Sequence, residues 1–453
     1  MTTFYRRARR GDRPGGAIFL VWAGLCVLLL AMAGNDIAQG RVPGADSMLR
    51  LAQVRDLIAG QGWFDLHQYR IAPGKAASMD LSRLVDAPLL LSITLLTPFM
   101  GQPMAEQVTM IAVPLLVMGL ILAAVGRLAW RLHGVESAVF ACLAVGFAPA
   151  IIEQVQPLRI DHYPYQILAA ALALWAIAWR SPMMGGAAAG FAMAAGTMIS
   201  LEMLPLTAAF GGVLALRWLR EPQLRGWLVA YMQVMALGMV ALFAVTRGVA
   251  DLEAHCHVIS PPQLGFFLVA ALGTGAIAAL PQLTRPMLVA LFCLAGALAL
   301  GFVALTGGQC LAMPRDWPGL PVWQQDAVLA VPALFQGLIA LAVGIVLTMR
   351  SKDWLKHWWL EYSLLLAAAI VAGVMKPGSM AFAAVIGAIA LGWLAGRIAR
   401  SVRNARGWGG RLVGMLALFA VVMPAAPVIA VRKLAPVEIG GPPQLKVWQV
   451  RRR

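Results

Sequence analysis

The residues in this chain that can do chemistry are mostly acids, and they sit at the ends of long apolar segments. Asp46 opens the stretch Asp46-Ser-Met-Leu-Arg-Leu-Ala-Gln-Val-Arg-Asp56, which runs on through Gly62-Trp-Phe-Asp65 to Arg70. Asp161 and His162 fall in Arg159-Ile-Asp161-His162-Tyr163, and Glu202 in Ser200-Leu-Glu202-Met-Leu-Pro205. A carboxylate can take a proton from an attacking hydroxyl, or join an imidazole in binding a divalent cation. Arg70, Arg83 and Arg159 lie near these acids and carry forked N–H groups suited to phosphate. Each acid also has a plain structural reading. Asp46 is an N-cap candidate, Asp161 and His162 can cap the next helix, and Glu202 can pair with Arg159. Asp326, in Val322-Trp-Gln-Gln-Asp326, can cap the segment that follows it.

These residues need elements to hold them, and composition says which kind. Mean hydropathy is +0.77, with 60% hydrophobic and 12% charged residues. A soluble domain carries about 25% charged residues, so the chain reads as an all-α polytopic membrane protein. The net charge of +16 is not a nucleic-acid footprint, because the basic residues cluster at the ends of apolar segments.

Arg6, Arg7, Arg9, Arg10 and Arg13 make residues 1–16 a basic, cytoplasmic N-terminus. A first span over about 17–34 then leads to an external loop, 35–100. Within it, Leu49, Val54, Leu57 and Ile58 share one helical face, which describes an amphipathic helix lying on the membrane surface. The apolar run 87–100 is too short for a comfortable crossing. Were it to cross, Arg127 and Arg131 would end outside, so it reads as interfacial or re-entrant.

About twelve further spans alternate up to residue 431, giving about 13 in a transmembrane domain 17–431, followed by a short basic tail, 432–453. This topology leaves 20 of the 36 basic residues inside and 15 of the 20 acids outside. Acids do not set topology, so their clustering points to chemistry on the outer face. Cys256, in His255-Cys-His257, and Cys310 both fall in external loops. In an oxidising compartment they pair as a disulfide. The alternative, a metal held by His255, Cys256 and His257, asks three adjacent residues to converge on one ion.

Asp46, with Arg55 and Asp56 nine and ten residues later and Trp63-Phe-Asp65 after them, resembles the first external loop of oligosaccharyltransferase catalytic subunits, which are membrane glycosyltransferases of the GT-C superfamily. The match is specific over about 25 residues. The resemblance implies that Asp46 works at the reaction centre, on a helix at the membrane interface. It implies that Asp161 stands where the family has the first of two metal-binding acids. Tyr163 occupies the second acid's place, which leaves His162 as the alternative ligand and Asp46, Asp161 and His162 as the candidate metal set, for Mg or Mn. It also aligns Asp326 with an acid that reaches the reaction centre. Trp358-Trp-Leu-Glu-Tyr362 superficially matches the family's Trp-Trp-Asp signature, but lies on the cytoplasmic side, where tryptophans serve as interfacial anchors.

Together these readings describe a glycosyltransferase with catalytic candidates Asp46, Asp161 and Glu202. The donor is a sugar on a polyprenyl phosphate, since nucleotide sugars are not expected outside the cytoplasm. The partners are membrane lipids and a glycan, lipid or protein acceptor, with no nucleic acid. The expected location is the bacterial inner membrane with the site facing the periplasm. The rival is a carrier or flippase for lipid-linked sugars, which would place its ionisable residues mid-span.

Overall fold

The computed structural model describes residues 13–69, 77–78, 82–249, 251–253, 255–256, 258–281, 283–307 and 327–426. The architecture is all-α apart from two paired two-residue strands, β1 (His67–Gln68) and β2 (Ala77–Ser78), antiparallel with His67 opposite Ser78.

The chain opens with α1 (Gly15–Gln39), α2 (Ala45–Ile58), α3 (Arg83–Met100) and α4 (Gln102–His133). After α5 (Val135–Gly146) and the single turn α6 (Pro149–Ile152) come α7 (Tyr163–Ala176), α8 (Pro182–Ile199) and α9 (Leu204–Arg220). The rest comprises α10 (Gly226–Thr246), α11 (Pro261–Ala279), α12 (Arg285–Thr306), α13 (Ala327–Arg350), α14 (Asp353–Met375), α15 (Met380–Asn404) and α16 (Trp408–Val422).

Ten of the described helices are long and apolar enough to cross a membrane. All thirteen expected spans have a helix, but the count of thirteen crossings is not reached by length. α5, α7, α9 and α16 are 12, 14, 17 and 15 residues long, short of the roughly 20 needed for a full crossing. The tenth long apolar helix is α3, which begins four residues before the apolar run and is capped by the Ser82 hydroxyl accepting from Leu84 N–H.

One contact bears on the path of α3. The Gln107 side chain, in the second turn of α4, donates to the Ile37 carbonyl near the end of α1 (3.1 Å). α4 therefore starts at the same end of the bundle where α1 finishes, and α2 and α3 between them make no net crossing. The reversal from α3 into α4 is made by Gly101 alone, at φ +77°, a backbone conformation that a side chain would strain. From α4 onward the helices alternate, so the loops after α1, α6, α8, α10, α12 and α14 share one end with α2.

α15 is the most enclosed of the ten, while α1 and α12 stay largely exposed on the periphery, where lipid would cover them. α8 and α10 pack most closely. A Cβ on Gly190 would sit 2.3 Å from the Tyr231 carbonyl oxygen, so only glycine permits this approach. At the end away from α2, ion clusters staple helices together. Glu361 of α14 accepts from Arg217 (2.7 Å) and from Arg220 of α9, and Glu136 of α5 accepts from Arg400 and Arg403 of α15, each at 2.6 Å. Trp358 and Trp359 are not interfacial anchors. They are buried in the bundle, Trp359 stacked on His133 (5.6 Å, 19°).

Candidate functional site

α2 is docked by charge. Its buried residues are Ser47, Arg50, Leu51, Gln53 and Val54, so of the expected apolar face only Val54 is fully buried, with Leu49, Leu57 and Ile58 half-buried. Arg50 donates to Asp86 Oδ1 (2.7 Å) and Gln53 to Asp86 Oδ2 (2.8 Å), and Arg83 reaches the same carboxylate at 3.3 Å. Two arginines and an amide around one buried acid outcompete the apolar stripe, because none of them can be left unpaired inside. A second tie joins Arg55 to Glu106 at the start of α4 through two donors (2.7 and 3.1 Å).

This clamp presents Asp46 at the head of α2. The N-cap is Gly44, not Asp46, and no side chain caps the helix. Asp46 lies one residue into the helix, solvent-exposed, near the positive end of the helix dipole.

Asp161 sits in the loop between α6 and α7. That loop is pinned into the bundle by Leu158, whose N–H donates to the Met110 carbonyl (3.0 Å) while its own φ is +69°. A buried leucine in the left-handed region is costly, and such strain is kept where surrounding structure holds it. Burial pushes the Asp161 carboxyl up, but its interactions with His162 and the charge of Arg50 outweigh that and bring it to about 2. The His162 backbone N–H donates to Asp161 Oδ1 (2.6 Å), and Arg159 stands 4.0 Å from Oδ2. Arg159 also donates to the Glu153 carbonyl (2.8 Å) and carboxylate (3.2 Å), so it braces this loop.

Glu202 stands in the turn between α8 and α9. It does not pair with Arg159. Its partners are Lys376 (2.5 Å), just past the end of α14, and the Tyr163 hydroxyl (3.4 Å). Its second oxygen, Oε2, is buried without a hydrogen bond, as is Nε2 of His162. Tyr163 is the common neighbour. The charges of Glu202, Asp161 and Asp46 all bear on its hydroxyl, and its ring stacks on His162 (4.3 Å) and closes against Gly378, where a Cβ would meet the hydroxyl at 2.5 Å.

Of the three acids named from sequence, Glu202 touches Tyr163 and Asp161 lies two residues before it, while Asp46 bears on the tyrosine through its charge and makes no printed contact with the other two among the described residues. They do not form a ready metal cluster. Among the described residues no group of three or more His, Cys, Asp or Glu is placed to hold an ion. The donor types, two or three carboxylates and an imidazole with an unused nitrogen, still suit a divalent cation.

Of the phosphate-binding candidates, Arg70 lies outside the described residues. Arg83 is 1% exposed and spends its donors on the Trp63 and Asp65 carbonyls (3.0 and 2.5 Å) and on Asp86. It fastens the loop after α2, with its donors committed to these partners. Asp326 and Cys310 also lie outside the described residues. Cys256 is disulfide-bonded, and Cys26, Cys142 and Cys293 are free. A cysteine in a disulfide is not a thiolate ligand, and the His255 ring is engaged by Asp251 (2.9 Å).

Sequence reasoning passed over Lys376, Arg50 and Asp86. Lys376 had a usable signal: it is the only Lys or Arg between Lys356 and Arg397, and it stands at a helix end on the side of the acids.

No family model matches the chain, and no curated protein matches it. Solved structures do. The apo oligosaccharyltransferase of Archaeoglobus fulgidus aligns with a TM-score of 0.69 at 13% identity, over 92% of this chain and 56% of that one. AglB, the oligosaccharyltransferase of the same archaeon, in complex with an inhibitory peptide and a dolichol-phosphate, gives 0.63 at 14% identity, over 92% and 55%. A third structure, the A. fulgidus enzyme with zinc and sulfate, gives 0.58 at 12% identity, over 91% and 52%. The chain is thus an integral membrane protein whose fold resembles that of the oligosaccharyltransferases. It spans little more than half the length of the structures it matches.

Proposed function

We propose that this protein is a GT-C-type glycosyltransferase that moves a sugar from a polyprenyl-phosphate-linked donor to an acceptor hydroxyl or amide. The reaction would take place at the end of the bundle carrying α2, facing the periplasm of a bacterial inner membrane. The observation that carries this reading is the contact of Glu202 with both Tyr163 and Lys376 at the end of the bundle that also holds Asp161, His162 and the head of α2 with Asp46. A carrier would need its ionisable residues mid-span, whereas these acids all stand at helix ends. The dolichol-phosphate bound by the archaeal protein supports a lipid phosphate as donor.

Asp46 is the base. It is exposed, and among the described residues it makes no hydrogen bond that would compete for a proton. It takes the acceptor's proton as the acceptor atom bonds to the anomeric carbon. The bond from that carbon to the phosphate oxygen breaks, and the electron pair leaves on the polyprenyl phosphate. Lys376 stands one third exposed beside Glu202, and its ammonium meets the developing phosphate charge. Asp161, anionic throughout the neutral range, and Glu202 hold the positive groups around Tyr163 in place. Asp161 and His162 are the residues that would help hold a divalent cation, which would neutralise the leaving phosphate; as placed, they and Asp46 do not form a three-ligand group among the described residues.

The test is transfer from a synthetic polyprenyl-phosphate hexose by the purified protein in liposomes, wild type against Asp46→Asn. We expect the substitution to cost at least about 100-fold in turnover, the usual worth of a positioned base, with the protein still inserted and monodisperse. Near-normal turnover of the Asn variant would remove Asp46 from the mechanism.

A further inference from the structure

A cleft of about 370 Å³ opens beside the far end of α2, lined by Asp56, Ala59, Gln61, Asp65, Gln68 and Tyr69. None of its residues belongs to the cluster around Tyr163. Its walls are carboxylates and amides that already brace one another. Gln68 donates to Asp56 (3.1 Å), the Tyr69 hydroxyl donates to Asp65 (3.2 Å), and Asp65 also accepts from the His67 backbone (3.1 Å). The Gln61 amide donates to the Asp65 and His67 carbonyls, which leaves its oxygen as an acceptor. Tyr69 stands at the rim with 59% of its surface exposed, near the His67 ring (6.3 Å).

Three ligand chemistries can be weighed against these walls. A phosphate would need cations, and none of the described lining residues is a Lys or Arg. A lipid tail would need apolar walls, and among the described lining residues Ala59 is the only aliphatic one. A peptide docks through a free strand edge or through pockets for apolar side chains, and the lining is polar. A pyranose fits: its hydroxyls donate to carboxylates and to the Gln61 oxygen, and its C–H face lies on an exposed aromatic ring. The site also lies in line with the chemistry. Asp46 and Asp56 are ten residues apart on one helix, about 15 Å along its axis.

We infer that this cleft is a saccharide subsite, and that the acceptor is a glycan whose end lies at Asp46 while an inner ring rests on Tyr69. This rests on the transferase reading for the direction of the chain, but the cleft can be tested without turnover.

The probes are soluble trisaccharides of gluco, galacto and manno configuration, read by saturation-transfer NMR against detergent-solubilised protein. We expect transfer to the ring protons of at least one probe, retained in Asp46→Asn. Tyr69→Ala should weaken it about tenfold and Gln61→Ala several-fold, while Tyr69→Phe, which keeps the ring, should retain most of it. Elution as a single species checks that each variant folds. Failure of every trisaccharide to bind the wild type, or equal binding by Tyr69→Ala, overturns the subsite. So does displacement of no sugar but capture of an unstructured peptide at the same residues. Loss of turnover in every assay with intact trisaccharide binding would count against the transferase reading alone. Where transfer is measurable, Tyr69→Ala should raise the acceptor KM with the donor KM unchanged.

Discussion

Asp161 illustrates how a single carboxylate is tuned by its immediate surroundings. Burial raises it, yet His162 and Arg50 together bring it down to about 2 from an ordinary 3.8. A carboxyl depressed on folding stabilises the fold above about pH 4 and loses that contribution as pH falls through 2. Asp161→Asn should therefore cost about 2 kcal/mol at neutral pH, and the gap from wild type should close on acidification towards pH 2; thermal unfolding in detergent across that range measures it. Lys376 poses a different test, because removing it harms both the phosphate contact and its partner Glu202. Lys376→Gln should raise the donor KM roughly 10- to 100-fold, the worth of one charge-assisted bond, while Lys376→Arg keeps most activity. Pairing Lys376→Gln with Glu202→Gln should restore stability without restoring activity. The roles of these residues were unevenly legible. Asp46, Asp161 and Glu202 could be named because acids are scarce in an apolar chain. Arg83 reads as a phosphate ligand from sequence, but its donors go to Asp86 and to the carbonyls of Trp63 and Asp65, and the two carbonyls are backbone atoms that no side-chain pattern announces.

Among elements, the clamp of α2 on α3 governs where Asp46 stands. Asp86 is fully buried between Arg50 and Arg83, with Gln53 as a fourth member. Asp86→Ala leaves two guanidinium groups without their counter-charge, and should cost about 3–5 kcal/mol. Expected readouts are poor recovery from the membrane or a sharply lowered unfolding temperature; an unfolding temperature matching wild type would contradict the clamp. The periodicity of α2 was readable, but its orientation was not. An apolar stripe is ordinarily the face that turns inward, yet here the inward face carries Arg50 and Gln53, since an acid 30 or more residues away draws them in. The sequence reads α3 as a piece that does not cross. The bias of Arg127 and Arg131 towards the inside argues for that, and the Gln107–Ile37 contact places the start of α4 beside the end of α1.

For the whole molecule, the alternation of helices predicts two chemically distinct ends. Single cysteines placed in a background lacking the native ones should label from one side at positions 41 and 253, and from the other at 221 and 403. Labelling of 41 and 253 from opposite sides would refute the topology. In the native chain, non-reducing peptide maps should join Cys256 to Cys310, as proposed from the sequence; recovery of Cys310 as a free thiol would refute that pairing. Helix positions were legible throughout, because long apolar runs have few alternatives. Helix lengths were less so: α5 stops at Gly146 and α7 at Ala176, where the chain leaves the helix before the apolar run ends. Hydropathy alone carries no sign of these stops.

The conduct of α3 bears on how the protein is made. By length and composition α3 qualifies as a spanning segment, with a hydropathy of 1.4 over 18 residues. The insertion machinery, meeting it in isolation, has reason to thread it through the bilayer. In that event every later helix would emerge reversed, and Asp161, Glu202 and Lys376 would mature in the wrong compartment from Asp46. Two safeguards act at different moments of synthesis. Arg50 has already been synthesised when Asp86 emerges, so the pair can hold the head of α3 back at once. The arginines ending α4 come later and oppose export of its far end. Sidedness is thus written twice, first as a local ion pair and then as a charge bias along the chain.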